Sequence, residues 1–119
     1  MDIKEIKRAA RHKRVRRKVF GTTQRPRLMV HRSNQNMLAQ IIDDDQHKVL
    51  LTASTQMKDI KVSQKYGGNK KAAEALGTRL AAMAVKNGIK SVSFDRGGYI
   101  YHGRIKSFAE AARKGGLEF

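Results

Sequence analysis

The sequence contains no cysteine, no tryptophan and one proline, and aromatic residues make up only 6% of its 119 positions. Without cysteine, neither disulfide bonds nor thiolate metal ligands can hold the fold, which is typical of a reducing compartment. Aromatic side chains this scarce do not support a surface on which several bases stack. No apolar run approaches the length of a membrane span, and the charged N-terminus is unlike a secretory signal peptide. We therefore expect neither a membrane segment nor export.

Acidic residues are also few compared with basic ones. The chain carries 26 Lys and Arg against 10 Asp and Glu, a formal net charge of +16. Such a charge repels itself, so we expect a polyanionic partner, with nucleic acid first and a membrane surface second. Residues 1–32 hold 12 of the Lys and Arg and only 2 of the acids. We therefore predict a basic, RNA-binding N-terminal arm over residues 1–24 and one globular domain over residues 25–119.

The arm has the pattern of a helix without a buried face. Asp2 and Glu5 have capping-box spacing, and Ile3 and Ile6 begin a thin apolar stripe. Residues 11–18 read Arg-His-Lys-Arg-Val-Arg-Arg-Lys. Such a run cannot bury a face, so we expect an arm that is helical or disordered when free and folds when phosphates neutralise it. A membrane-surface helix is the weaker alternative, because the arm has no tryptophan anchor.

The remaining pattern predicts an α/β (α+β) fold, with a small mixed sheet and helices packed on it. Three alternating strands joined by short polar turns predict an antiparallel meander. A helix between two strands of one sheet predicts a parallel, right-handed crossover, and a glycine in that helix, Gly77, indicates close packing on the sheet. The predicted order is β-β-β-α-β-α, a meander plus one parallel strand. In that order the predicted strands and helices cover residues 27–32, 37–43, 49–54, 70–87, 89–94 and 104–114.

No set of residues predicts catalysis, a metal site or a cofactor. The three acids at 43–45 lie together at a hairpin tip, where they diverge as a solvated turn, whereas two-metal chemistry needs carboxylates from separate elements. The four histidines lack metal-ligand spacing, and there is neither a nucleophile elbow nor a Walker loop. Residues 67–71, Gly-Gly-Asn-Lys-Lys, place glycines and lysines at a helix N-terminus, which is either a phosphate site or an ordinary cap.

Residues 90–106 carry the most distinctive chemistry. Gly97 and Gly98 allow a bulky partner to approach the backbone closely. The arginines, tyrosines and histidine that surround them combine cationic forks with flat rings, a mixture suited to phosphates and unstacked bases. The alternative is a strand-to-helix turn whose tyrosines pack under the sheet. Residues 31–34, His-Arg-Ser-Asn, leave a similar choice between an RNA contact and the end of a hairpin.

Several segments, in order, resemble a known family: 25–28, 31–34, 39–44, 53–55, 68–70, 94–104 and 111–119. They resemble bacterial large-subunit ribosomal protein eighteen, the family of 5S rRNA-binding proteins, over essentially the whole chain. The resemblance implies a small mixed sheet with helices on it. It also implies that the chain binds 5S rRNA and helps attach it to 23S rRNA in the central protuberance, beside the other 5S-binding ribosomal proteins. It implies a cytoplasmic, ribosomal location and neither a membrane nor a small-molecule substrate.

The resemblance also implies a set of RNA contacts. They are Arg8, Arg11, Lys13, Arg14, Arg16, Arg17, Arg25, Arg27, Arg32, Ser33, Asn34, Ser54, Thr55, Asn69, Lys70, Arg96, Gly97, Tyr99, Tyr101, His102 and Arg104. One departure is His31, where the family leads us to expect an aromatic residue such as Phe.

Overall fold

A computed structural model describes residues 3–16 and 19–119. Its helices and strands, in chain order, are α1 (Ile3–Arg16), β1 (Arg27–Arg32), β2 (Met37–Asp43), β3 (Lys48–Ser54), α2 (Lys58–Ser63), α3 (Lys70–Lys86), β4 (Ser93–Asp95) and α4 (Arg104–Lys114). No helix among the described residues is both long and apolar enough to cross a bilayer.

The strands form one four-stranded sheet in the order β3-β2-β1-β4. β1 and β2 pair antiparallel, with Leu28 opposite Ile41, and β2 pairs antiparallel with β3. β4 pairs parallel with β1, with Phe94 opposite Leu28. The predicted meander with one parallel strand is therefore confirmed.

The core lies between one face of the sheet and the two long helices, α3 and α4. Alternation along the strands turns Leu28, Val30, Ala39 and Ile41 toward the helices, where all four are buried. The helices contribute buried apolar residues at helical spacing. These are Ala73, Leu76, Leu80 and Ala84 from α3, and Ile105, Phe108 and Ala112 from α4.

The fourth strand is shorter than its sequence predicts. Its apolar pattern begins at residue 89, but β4 covers only Ser93–Asp95. The residues before β4 form hydrogen bonds with the C-terminal segment instead of with β1. The amide of Val92 donates to the carbonyl oxygen of Glu118 at 3.0 Å, and the amide of Glu118 donates to the carbonyl oxygen of Lys90 at 2.9 Å. Residues 90–92 therefore pair with the chain end.

Two further details differ from the prediction. The segment expected to be a loop after β3 contains the short helix α2, which places Ile60 in the core. Gly77 packs closely, as predicted, but its neighbour is α4, because a Cβ there would collide with the carbonyl oxygen of Phe108. The glycine therefore sets the approach of two helices.

Candidate nucleic-acid interface

Tyr99 lies at the centre of the candidate site and is buried. Its hydroxyl donates to the carbonyl oxygen of Arg32 at 3.1 Å and accepts the backbone N–H of Arg32 at 3.3 Å. The guanidinium carbons of Arg8 and Arg32 lie 4.9 and 5.1 Å from its ring centroid, within the range of cation–π attraction. Tyr99 therefore joins the end of β1 to α1, and its ring is engaged within the protein.

A groove beside Tyr99 collects residues from α1, the end of β1 and the start of α4; we call it the basic groove. Its lining includes four Lys or Arg side chains and one carboxylate, together with small hydrogen-bonding groups. His31 is part of this lining, and its Nδ1 lies 3.2 Å from the Tyr99 hydroxyl. The complete lining is Lys4, Glu5, Arg8, His31, Arg32, Ser33, Asn34, Tyr99 and Arg104.

The basic groove brings together six predicted contacts that are far apart in sequence: Arg8, Arg32, Ser33, Asn34, Tyr99 and Arg104. The prediction omitted Lys4, although its spacing of four from Arg8 places both side chains on one face of a helix. Helical spacing was the signal that would have found it.

Arg32 and Arg104 are two cations held near each other, with no acidic partner among the residues that the structure describes. Burial, and after it the positive charge of Arg32, hold the pKa of Arg104 below its ordinary value. Nη1 of Arg104 is buried and has no hydrogen-bond partner within residues 3–16 and 19–119. No ion pair among the described residues includes either arginine. The pair is therefore left with unused donors and uncompensated charge.

The β1–β2 turn at the rim of the groove is fixed by the neighbouring loop. The hydroxyl of Tyr66 donates to the carbonyl oxygen of Asn34 at 2.9 Å. Thr55 is buried, and its hydroxyl donates to the side-chain oxygen of Asn36 at 3.1 Å and accepts the amide of Met37 at 3.0 Å. The Thr55 side chain therefore shapes the turn from inside, and we leave it out of the proposed RNA surface.

Residues 67–71 contain the N-cap of helix α3. Asn69 is the N-cap of α3, and its side-chain oxygen accepts the amide of Ala72 at 2.9 Å. Such a bond satisfies one of the free donors of the first helical turn. Ser54 is engaged locally too, because its hydroxyl accepts the amide of Gln56 at 3.1 Å. Lys70 remains exposed at the start of the helix.

Helix α1 docks onto the β4–α4 loop through polar groups. Nη1 of Arg8 donates to the carbonyl oxygen of Gly97 at 3.0 Å, and Nε of Arg11 donates to that of Gly98 at 2.9 Å. Gly98 has φ +79°, and a Cβ there would stand 2.7 Å from the amide nitrogen of His12. A glycine is therefore needed where the helix crosses the loop.

The opposite side of α1 faces solvent. Lys7, Lys13 and Arg14 are exposed, as are Ile3 and Ile6 of the apolar stripe. Helix α1 therefore has an inward basic face that binds the domain and an outward basic face that is open to a partner. The prediction for Arg17 and the capping role of Asp2 lie outside the described residues.

A buried network of charged residues lies at the other end of α1. Oδ2 of Asp95, a fully buried residue, accepts from Nη1 of Arg27 at 2.9 Å and is 3.0 Å from Nε2 of His12. The carboxylate of Asp44 accepts hydrogen bonds from Nε and Nη2 of Arg27 at 3.0 and 3.2 Å, and from the amide of Gly21 at 2.7 Å. Arg16 lies near this network, 3.9 Å from Asp44, and also donates to the carbonyl oxygen of Val19.

These contacts shift two pKa values. Burial alone would raise the pKa of Asp44, but the hydrogen bonds from Arg27 and Gly21 and the charges of Arg27 and Arg16 outweigh it, and the pKa lies below its ordinary value. Burial would likewise lower the pKa of Arg27, but Asp44 and Asp95 raise it above its ordinary value. The guanidinium of Arg27 is thus committed to two carboxylates, and we leave it out of the proposed RNA surface.

The acidic hairpin tip is only partly the solvated turn that the sequence predicts. Asp43 is buried, and its Oδ1 accepts the amides of Asp45 and Gln46 at 3.0 and 3.2 Å. Asp44 binds Arg27, so only Asp45 is exposed. The reason is that a short turn has free amides, which a preceding aspartate satisfies. No group of three or more His, Asp or Glu within the described ranges could hold a metal ion.

The remaining part of the 96–104 block lies at a second cluster. The Tyr101 hydroxyl accepts Nη1 of Arg113 at 2.9 Å, and Nε of Arg113 donates to the carbonyl oxygen of Phe119 at 3.2 Å. Arg96 is exposed at the same depression. Tyr99 and Tyr101 therefore face different neighbourhoods, although only Ile100 separates them in the chain. Arg25 and His102 are exposed.

Comparisons with known proteins agree with the sequence resemblance. The model of the family described as ribosomal L18 of archaea, bacteria, mitochondria and chloroplast matches residues 2–119. The large ribosomal subunit protein uL18 of Acetivibrio thermocellus is 56% identical over 114 residues, 96% of this chain and 93% of that protein. The uL18 of Clostridioides difficile is 53% identical over 116 residues, and the two chains are covered at 98% and 95%.

A match that extends over essentially the whole chain, at more than half identity, fixes the family and the class of function. Members of this family are structural constituents of the ribosome and not enzymes. The chain belongs to the ribosomal L18 family and is a protein of the large ribosomal subunit.

Proposed function

We propose that this chain binds 5S rRNA and helps attach it to 23S rRNA in the central protuberance of the large subunit, beside the other 5S-binding proteins. The observation that carries the proposal is the basic groove, in which Arg32 and Arg104 lie close together without an ion pair to any described residue. Two uncompensated guanidinium groups beside Ser33 and Asn34 suit the phosphates and edges of folded RNA.

The outward face of α1 extends the same surface. Lys13 and Arg14 are exposed on flexible stems, so their contacts are to phosphate and carry little sequence information. The groove differs from the face of α1 because Arg32 is held in place there. The Tyr99 hydroxyl binds the backbone of Arg32, and the Arg32 guanidinium lies over the Tyr99 ring. We therefore assign 5S selectivity to the groove and much of the salt-dependent affinity to α1. The contacts proposed for Lys70, Arg96, Tyr101 and His102 lie outside the groove and extend this surface.

Competition binding tests the proposal. Labelled 5S rRNA is bound to the full-length chain and displaced by unlabelled 5S rRNA, duplex DNA or anionic vesicles at equal phosphate. The 5S rRNA should compete best, because shape and rigidly placed donors add to the charge term that all polyanions share. Equal competition by the three would refute specific RNA binding. Footprinting then identifies the protected 5S nucleotides, and a 23S fragment added afterwards should extend the protected region.

A further inference from the structure

We propose that Arg32 and Arg104 form a single phosphate subsite, in which one backbone phosphate of the bound RNA is held between the two guanidinium groups. This inference rests on the proposed function and assigns a ligand group to one part of the basic groove. Neither the family match nor the fold identifies the group that these two arginines bind together.

The surroundings of Arg104 in the folded chain disfavour its positive charge. Burial disfavours the charged form most, and the charge of Arg32 disfavours it further. Neither arginine forms an ion pair with a described residue, although Glu5 also lines the groove. An anion placed between two cations converts their repulsion into two attractions. The pair is therefore complete only when a negative group is bound.

The donors of the Arg104 guanidinium also favour a phosphate. Nη1 of Arg104 is buried with no hydrogen-bond partner in the described part of the chain, and a buried donor without an acceptor costs free energy. Arginine presents a planar fork of N–H donors that matches the oxygens of a phosphate. Because Nη1 is itself enclosed, the phosphate oxygens would meet the part of the Arg104 guanidinium that lines the basic groove together with Arg32.

Arg32 is held in place before any ligand binds. The backbone of Arg32 is bonded to the Tyr99 hydroxyl through both its N–H and its carbonyl group, and its guanidinium lies over the Tyr99 ring. The next two residues, Ser33 and Asn34, line the same groove. One half of the subsite is therefore positioned before the ligand arrives, which reduces the entropy lost on binding.

The charge around the subsite selects a nucleic acid over an acidic peptide. The excess of cations continues from the groove along the outward face of α1, where Lys7, Lys13 and Arg14 are exposed. A ligand that matches this distribution carries a negative charge at every repeat of its backbone, as RNA does. An acidic peptide with a few carboxylates would leave this outward face without a partner.

The subsite has a consequence for the free protein. If Arg104 is held for the phosphate, its charge is unfavourable in the unbound chain. Replacing Arg104 by Gln should then leave the melting temperature unchanged or raise it, while RNA affinity falls. A residue with a purely structural role would show a lower melting temperature. Arg104→Lys, which keeps the charge but loses the fork, should also weaken RNA binding.

A double-mutant cycle on the full chain tests the shared phosphate. Arg32→Gln, Arg104→Gln and the double variant are compared for 5S rRNA affinity over a range of salt concentrations. Each single variant should lose about tenfold or more in affinity, as expected for a charged hydrogen bond. The losses should not multiply in the double variant, because both arginines contact one group. The slope of log affinity against log salt should fall by roughly 0.7 to 0.9 in the double variant, the value of one phosphate.

The control is Lys86→Gln, which removes one charge from an exposed residue in the last turn of α3 and should change affinity little. Multiplying losses, together with a slope change about twice as large, would mean two separate phosphates and would overturn the shared subsite. Losses no greater than those of the control would overturn it as well.

A second readout does not depend on the RNA. Inorganic phosphate should raise the melting temperature of the unmodified chain more than chloride does at equal ionic strength, because a ligand stabilises the state that binds it. The double variant should lose this difference. If 5S rRNA is not preferred over duplex DNA but the phosphate effect is present, the proposed function fails and the anion subsite stands. If 5S rRNA is preferred but the cycle is multiplicative and phosphate has no effect, the subsite alone fails.

Discussion

Helices α3 and α4 are held to the domain by contacts different from those that hold α1. Leu76 and Leu80 of α3 and Phe108 of α4 are fully buried against the sheet. None of the described side chains of α1 belongs to the core, and Ile3 and Ile6 are 68% and 52% exposed. Helix α1 is instead held by hydrogen bonds to the last residue of β4 and to the loop that follows it.

This difference between apolar burial and hydrogen bonding indicates which helix is displaced most easily. Burial of one large apolar side chain contributes about 1.5–3 kcal/mol, whereas a hydrogen bond contributes a net of about 0.5–1.5 kcal/mol. Helix α1 is therefore attached more weakly than α3 or α4, by groups that also bind phosphate well. The expectation that the arm is disordered without RNA stays a prediction, as does the division into an arm and a domain at residue 24.

The largest expected effect comes from removing an apolar anchor of α4. Phe108→Ala leaves a cavity beside Phe94, whose ring centroid lies 6.4 Å away, and should lower the free energy of unfolding by about 3–5 kcal/mol. Urea unfolding followed by circular dichroism measures this change. The matched control is Phe20→Ala on the arm, at a side chain that is 54% exposed; a comparable loss there would contradict the difference between the two regions.

The next effect comes from breaking the buried network that joins α1 to the sheet. Asp95→Asn removes the charge that faces Arg27 and His12, and we expect the free energy of unfolding to fall by about 2–3 kcal/mol. The loss is limited because Arg27 keeps its hydrogen bonds to Asp44. Amide exchange should become faster throughout α1. Asp45→Asn at the exposed hairpin tip serves as the control. Unchanged exchange in α1 would show that Asp95 does not hold the helix.

A smaller effect separates helix docking from backbone strain. Gly98→Ala adds a methyl group that meets α1 at a residue with φ +79°, whereas Gly88→Ala adds one at φ +77° with no atom within 4 Å. In both variants the backbone strain should lower the free energy of unfolding by about 1 kcal/mol or more. Only Gly98→Ala should displace α1, seen as faster amide exchange over residues 3–16. Equal exchange in the two variants would mean that the close approach at Gly98 is unimportant.

The smallest effect is the pH dependence due to Asp44. Its pKa is lowered in the folded chain, so its stabilising effect is complete above the ordinary carboxyl pKa of about 4 and is lost as pH falls through the lower, folded pKa. Asp44→Asn should remove this part of the acid sensitivity between pH 6 and pH 2. Urea midpoints over that range test it, with Asp45→Asn as the control. Parallel pH profiles for the Asp44 variant and the unmodified chain would contradict the prediction.

Much of the candidate site could be predicted because its residues belong to recognisable segments. Arg32, Asn34, Tyr99 and Arg104 were expected from residues 31–34 and 94–104, and the structure brings all four to one groove. The role of each residue could not be predicted in the same way. Tyr99 has the ring that a base would stack on, but Arg8 and Arg32 already lie over that ring.

The sequence by itself determined the class of protein and the plan of the sheet. A net charge of +16 without cysteine indicates a polyanion-binding protein, and alternation in the strands and helical spacing in α3 and α4 report burial, because both periods are local properties of the backbone. The parallel orientation of β4 followed from the helix that precedes it, because a helical crossover between two strands of one sheet makes them parallel.

Only the tertiary structure decided which cations face inward. Arg27 meets Asp95 across 68 residues, and Arg8 meets Gly97 across 89, so no local pattern distinguishes these arginines from Lys13 or Arg14 in the same basic stretch. The same holds for Asp44, which pairs with Arg27 at a turn that resembles a solvated tip. The physical reason is that a charge is stabilised by the groups that folding places around it, whereas an apolar residue is selected by its own side chain.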